Sequence, residues 1–156
     1  MREARTLGSW VLGLFLAVML LWVAADTLAP QPPGQNHLFA VFRETSGVAY
    51  FEPLGRFGVG VLEVLAALLI LVPFTRRIGA ILGFVVLLFL AALVVQLVMQ
   101  GITYPVDTVG EGGVISTVNT DPSGLFYLIL GLLVAAIAVI VIHPGRSDAK
   151  GDYYKA

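Results

Sequence analysis

Residues 53–100 constrain this chain more than any other stretch. Two long apolar runs, PLGRFGVGVLEVLAALLILV and IGAILGFVVLLFLAALVVQLVMQ, flank the basic turn Pro73-Phe74-Thr75-Arg76-Arg77. About 20 apolar residues in a helix span the roughly 30 Å hydrocarbon core of a bilayer. The pair therefore reads as a helical hairpin in lipid. Composition agrees: 58% of the 156 residues are hydrophobic and 12% are charged, against about 45–50% and 25% in a soluble domain. A body this small cannot hide that much apolar surface, so lipid must cover it.

Two further runs complete the plan. Residues 7–29 follow the basic start Arg2 and Arg5, and Asp26 is the only charge among them. A secretory signal peptide is the rival reading. The run exceeds the usual 7–15-residue apolar core of a signal and ends against Pro30, so a retained span is expected. Residues 124–142 form the last run. Gly124, Gly131, Ala135 and Ala138 recur along it on one helical face, which predicts a packing seam. Gly79 and Gly83 have the small-xxx-small spacing at the start of the third span. The expected fold is thus all-α: one membrane domain, a four-helix bundle with spans at about 7–29, 54–74, 78–100 and 124–142. The tail 143–156 is polar and expected to be disordered.

Two long loops separate the spans. Residues 30–52 begin with the helix-breaking Gln31-Pro32-Pro33-Gly34 and continue into a short amphipathic stretch, expected to lie at the interface or to re-enter the membrane. Residues 101–123 contain no Lys or Arg. Two β-branched runs there flank Gly110-Glu111-Gly112-Gly113, which predicts a small β-hairpin, with an irregular loop as the alternative. If both termini face the cytoplasm, the inner segments carry Arg2, Arg5, Arg76, Arg77, Arg146, Lys150 and Lys155. The outer loops then carry only Arg43 and Arg56. This asymmetry predicts N-in, C-in topology.

Function rests on the few polar groups within the spans, which are costly there and are read as functional by default. Glu63 stands inside the second span. Arg56 lies seven residues earlier, nearly two turns away on the same face. Gly60, Ala66 and Ala67 flank Glu63 and imply a close neighbouring helix. Under the predicted topology Asp26, Arg56, Glu63, Gln96 and Gln100 all fall in the outer half of the bundle. They form a candidate ligand-binding cluster for a polar head group (a quinone, a lipid or a small metabolite) or for a proton. The structural alternative is an Asp26–Arg56 ion pair, with Glu63 protonated or hydrogen-bonded to a neighbouring helix.

Other classes are excluded or disfavoured. Cysteine is absent and net charge is −1, which removes thiol chemistry and any electrostatic case for nucleic acid. The two histidines, His37 and His143, fall on opposite sides under this topology and cannot share a haem. No catalytic residues and no metal site are expected. Asp107, Glu111 and Asp121 are read as solvated loop acids.

The stretch Gly60-Val61-Leu62-Glu63-Val64-Leu65-Ala66-Ala67, followed by Pro73-Phe74-Thr75-Arg76-Arg77-Ile78-Gly79-Ala80, resembles the DoxX family of small four-helix membrane proteins. The family pattern has a glutamate in the second helix and a Thr-Arg turn into the third, so Glu63 and Arg76 are the positions it carries over. Where that pattern has a Gly and a Lys near the outer end of the first helix, this chain has Ala24-Ala25-Asp26-Thr27. The resemblance implies a non-catalytic membrane subunit or accessory protein of a respiratory or quinone-linked redox complex. It would sit in the cytoplasmic membrane of a prokaryote and hold no intrinsic redox centre. Its partners would be other membrane or periplasmic redox proteins, docked through loops 30–52 and 101–123. The other reading is a small lipid or metabolite transporter with Glu63 as its proton-coupled group.

Overall fold

The computed structural model describes residues 2–29, 36–110, 113 and 115–142, with side chains from residue 7 onward. The breaker at 31–34, Glu111, His143 and the tail lie outside the described residues. Four long helices dominate: α1 (Arg2–Leu28), α3 (Leu54–Leu71), α4 (Arg76–Met99) and α5 (Ser123–Ile142). Each is long and apolar enough to cross a membrane. Their boundaries follow local chemistry. α3 stops at Leu71, short of the expected 74, because the residue before a proline is driven out of helical conformation; Val72 has ψ 120°. α4 starts at Arg76, two residues earlier than expected, once Thr75 has turned the chain.

The helices form a ring in the order α1, α3, α4, α5, with α1 closing back on α5 and barely touching α4. Successive spans run antiparallel. The interior is a seam of aliphatic and small side chains, among them Leu16, Leu20, Ala66, Ile70, Leu87 and Val139. The outward faces are equally apolar: Leu14, Phe15, Leu65, Leu68, Leu88 and Ile137 are all exposed. An apolar surface wrapping every helix is what lipid contact requires.

Glycine sets the closest approach. A Cβ on Gly79 would lie 2.6 Å from Ile70 N and 2.8 Å from Ala66 O, so α3 and α4 meet backbone to backbone there. Gly83 faces Leu20 of α1 and Ala66 of α3. The spacing read from the sequence is thus used for packing. The seam predicted for the last span is used only in part: Ala135 is buried and Ala138 half-buried. Gly124 and Gly131 are exposed, with nothing within 4 Å of their Cβ positions. α5 buries Ile129, Leu132, Leu133, Ala135, Ala136 and Val139 instead, a face centred about a third of a turn from Gly131.

Two small elements cap the end of the bundle where α1 ends and α3 begins. α2 (His37–Ser46) opens at Asn36, whose Oδ1 accepts from the backbone N–H groups of Leu38 and Phe39. It closes at Gly47, which has φ 71° and donates to Arg43 O. Between these caps it buries Phe39, Ala40 and Phe42, so the expected amphipathic stretch is a docked helix. A 3-10 turn (Ala49–Phe51) leads on to α3. The predicted hairpin is present. β1 (Tyr104–Val109) pairs antiparallel with β2 (Ile115–Thr120), with Tyr104 opposite Thr120 and Val109 opposite Ile115. Thr117 Oγ1 donates to Asp107 Oδ1 across the pair at 2.7 Å.

Candidate functional site

The polar residues gather at two ends of the bundle. At the turn between α3 and α4, Thr75 Oγ1 donates to Leu69 O at 2.8 Å and Arg76 Nε donates to Ile70 O at 3.0 Å. These carbonyls belong to the last turn of α3, where no helical N–H remains to satisfy them. Arg76 also donates to Ser9 Oγ, and its guanidinium lies 3.9 Å over the Trp10 ring. The Thr-Arg turn therefore caps one helix and ties it to the start of another.

At the opposite end, Arg56 is buried in the first turn of α3. The structural alternative paired it with Asp26, but its Nε lies 3.0 Å from Glu52 Oε1, four residues back. Its Nη1 donates to Leu28 O, a terminal carbonyl of α1, at 2.9 Å. Its guanidinium also covers Phe57 at 4.6 Å. Arg56 thus staples the end of α1 to the start of α3. Glu52 was not singled out in the sequence, although its i, i+4 spacing from Arg56 carried the signal.

Glu63 lies near the middle of α3 and is fully buried, beside Gly60, Ala66 and Ala67 as expected. Neither carboxyl oxygen has a partner in hydrogen-bonding geometry among the described residues. The nearby stretch of α1 is set by Leu28, which packs on Gly60 one turn from Glu63, and it carries the buried Thr27.

Thr27 also lines a cavity of about 120 Å³ beneath α2 and the hairpin. Asp26, Asn36 and Tyr104 supply the rest of its polar wall, and Val23, Leu90, Val94 and Ile129 are among its apolar residues. Tyr104 and Val106 reach it together because alternate residues of a strand share a face. Asn36 is tied down, since its Nδ2 donates to Asp26 O at 3.0 Å. Burial, together with the nearby Asp26 charge, pushes the Tyr104 hydroxyl above its ordinary pKa. Among the described residues no lysine or arginine lines the cavity. It offers a carboxylate, a phenol and a threonine hydroxyl over an apolar floor, which suits a small ring or head group with hydrogen-bond acceptors, donors or both. A cavity of roughly 150 Å³ takes up a benzene ring, so this one is of ring size.

The five residues expected to cluster are therefore divided. Asp26 lines the cavity, and Glu63 lies behind Thr27. Arg56 is engaged by Glu52 and Leu28. Gln96 and Gln100 are exposed and do not line the cavity. Thr27, Asn36 and Tyr104 were missed, because Asn36 and Tyr104 lie in the loops and Thr27 stands at the end of a span, where an uncharged polar side chain costs little and draws no notice. Among the described residues no three His, Asp or Glu side chains converge as a metal site would require. No protein-family model matches the chain, and no curated protein or solved structure matches it either.

Proposed function

We propose that this chain is a DoxX-like subunit or accessory protein of a quinone-linked redox complex. It sits N-in and C-in in a prokaryotic cytoplasmic membrane and holds a polar ring or head group in the cavity beneath α2 and the hairpin. The observation that carries the reading is that ring-sized cavity, with Asp26, Thr27, Asn36 and Tyr104 over an apolar floor. A quinone-class ring fits the donor set: Tyr104 and Thr27 hydroxyls donate to carbonyl oxygens, and the Asp26 carboxylate accepts from hydroxyls of the reduced form. A bound quinone would supply the electron chemistry, while this chain binds and orients it. The basic residues of the α3–α4 turn support the N-in orientation. That orientation puts the cavity, α2 and the hairpin on the outer side, where partner proteins can dock.

The test is purification from native membranes in mild detergent, followed by mass spectrometry of co-purifying proteins and extracted quinones and lipids. Retained quinone and stoichiometric redox subunits are expected, with the quinone lost in Tyr104→Phe. A protein that carries neither sinks the reading. The unpartnered carboxyl of Glu63 favours a second function, proton-coupled transport of a lipid or metabolite. A flux into proteoliposomes that survives Glu63→Gln removes it.

A further inference from the structure

We propose that Glu63 exchanges a proton with the cavity, and that the Thr27 hydroxyl carries it. Three placements converge. Glu63 is fully buried with both carboxyl oxygens unpartnered. Thr27 is buried beside Leu28, the α1 residue that packs on Gly60 one turn from Glu63, and it is also part of the cavity wall. Asp26, the next residue on α1, lines the same cavity and is exposed. One turn of α1 thus carries an open carboxylate and a hydroxyl that leads to a closed one.

A hydroxyl donates one hydrogen bond while accepting others, so it can pass a proton between two oxygens. The Thr27 oxygen accepts a proton from Asp26, or from water in the cavity, and gives its own to a Glu63 oxygen. One O–H bond forms at Glu63 and one is lost at the donor. No oxidant or reductant is involved. The ionised form of an unpartnered buried carboxyl is strongly disfavoured in an apolar site. Glu63 is therefore a store that fills from the cavity and empties only when charge there changes.

The groups around it leave little else to set its state. α1 contributes Asp26. Along α3, Arg56 is nearly two turns away and engaged by Glu52 and Leu28 O. α4 carries its only charges, Arg76 and Arg77, at its far end, and α5 carries none. From β1, Tyr104 faces the cavity.

The relay rests on the cavity of the proposed function but not on its occupant, so the test adds no ligand. The full chain is reconstituted in vesicles and followed by infrared difference spectroscopy. A protonated-carboxyl band that disappears in Glu63→Gln is expected, and it should respond to external pH and shift in D2O. Thr27→Val, close in shape but without the hydroxyl, should slow deuteration about tenfold, the effect of losing one hydrogen-bonding group from the path. Thr27→Ser should restore it. A wild-type Glu63 band that neither titrates nor deuterates overturns the relay, as does the lack of any Glu63-dependent band. So does Thr27→Val at the wild-type rate, or Thr27→Ser as slow as Thr27→Val. Any of these failures leaves quinone retention, read through Tyr104→Phe, untouched.

Discussion

The Arg56 guanidinium bridges two helices by holding the Glu52 carboxylate at 3.0 Å while donating to Leu28 O at 2.9 Å. Both charged side chains are buried, with Arg56 3% and Glu52 6% exposed. Removing one member of such a pair leaves the other charge buried alone, at a cost of roughly 3–5 kcal/mol. Arg56→Ala should therefore lower thermal stability in detergent far more than the double variant Glu52→Gln/Arg56→Gln. Thermal unfolding of the single and double variants checks this; equal losses would show that the pair is not coupled.

Arg76→Lys tests the other end of α3. Lysine keeps the charge but loses the planar group that stacks on Trp10 and donates to Ile70 O at the same time. A loss of about 1–2 kcal/mol is expected from one charged hydrogen bond and one ring contact. Trp10 fluorescence should change with it, whereas Arg77→Lys, at an exposed position, should leave both readouts alone.

Gly79→Ala should be the most damaging small substitution in the bundle. Its new methyl would meet the backbone of α3 at 2.6 Å, and backbone cannot step aside. Overpacking of this kind costs roughly 1–3 kcal/mol or forces the helices apart. Gly131→Ala, with open space at its Cβ, should be neutral. Thermal stability of the two variants, measured side by side, decides the point.

Tyr104 gives the structure a pH signature. Its hydroxyl ionises above the ordinary phenol value of 10.0, chiefly because it is buried and secondarily because Asp26 is near. A raised folded-state value means that the contribution to stability is complete below the unfolded pKa and is lost as pH rises through the folded one. Alkaline stability should thus fall above about pH 10, and Tyr104→Phe should remove that component. In an ultraviolet titration, Asp26→Asn should move the Tyr104 transition only part of the way back, because burial remains. A complete return would make the Asp26 charge the main cause.

Asp121 titrates at the opposite end of the scale. The Ser123 side chain first, and second the Ser123 backbone N–H, from which its Oδ1 accepts at 2.7 Å, hold the carboxyl below its usual value at the start of α5. A depressed folded-state value contributes stability above the unfolded pKa, and that stability is lost as pH falls through the folded one. Acid fraying of the first turn of α5 should follow. Amide hydrogen exchange should detect it below about pH 4, where an ordinary aspartate begins to protonate. In Asp121→Ala the fraying should be present at all pH values.

Much of this architecture was legible in the chain itself. Apolar runs of spanning length decide that there are four helices, since backbone in lipid must satisfy its own hydrogen bonds. Pro73 and the Thr75-Arg76 pair mark the turn, and the hairpin follows from β-branched runs around glycine. Glu63 announced itself as a charge with no reason to be in a span. Such features depend on neighbours along the chain, so periodicity and composition carry them.

What tertiary structure alone decided is which polar groups meet. Asp26 and Arg56 share a level in the bundle, yet Arg56 pairs with Glu52 and donates to the end of α1, the groups that packing places nearest to it. Gln96 and Gln100 have the right depth but the wrong azimuth. The face of α5 that packs was likewise set by its neighbours and not by its glycines. Thr27, Asn36 and Tyr104 reach one cavity from α1, the cap of α2 and β1, segments far apart in sequence. Depth follows from counting residues along a helix, but rotation about its axis is fixed by side-chain packing between helices, and a single sequence does not contain that contact.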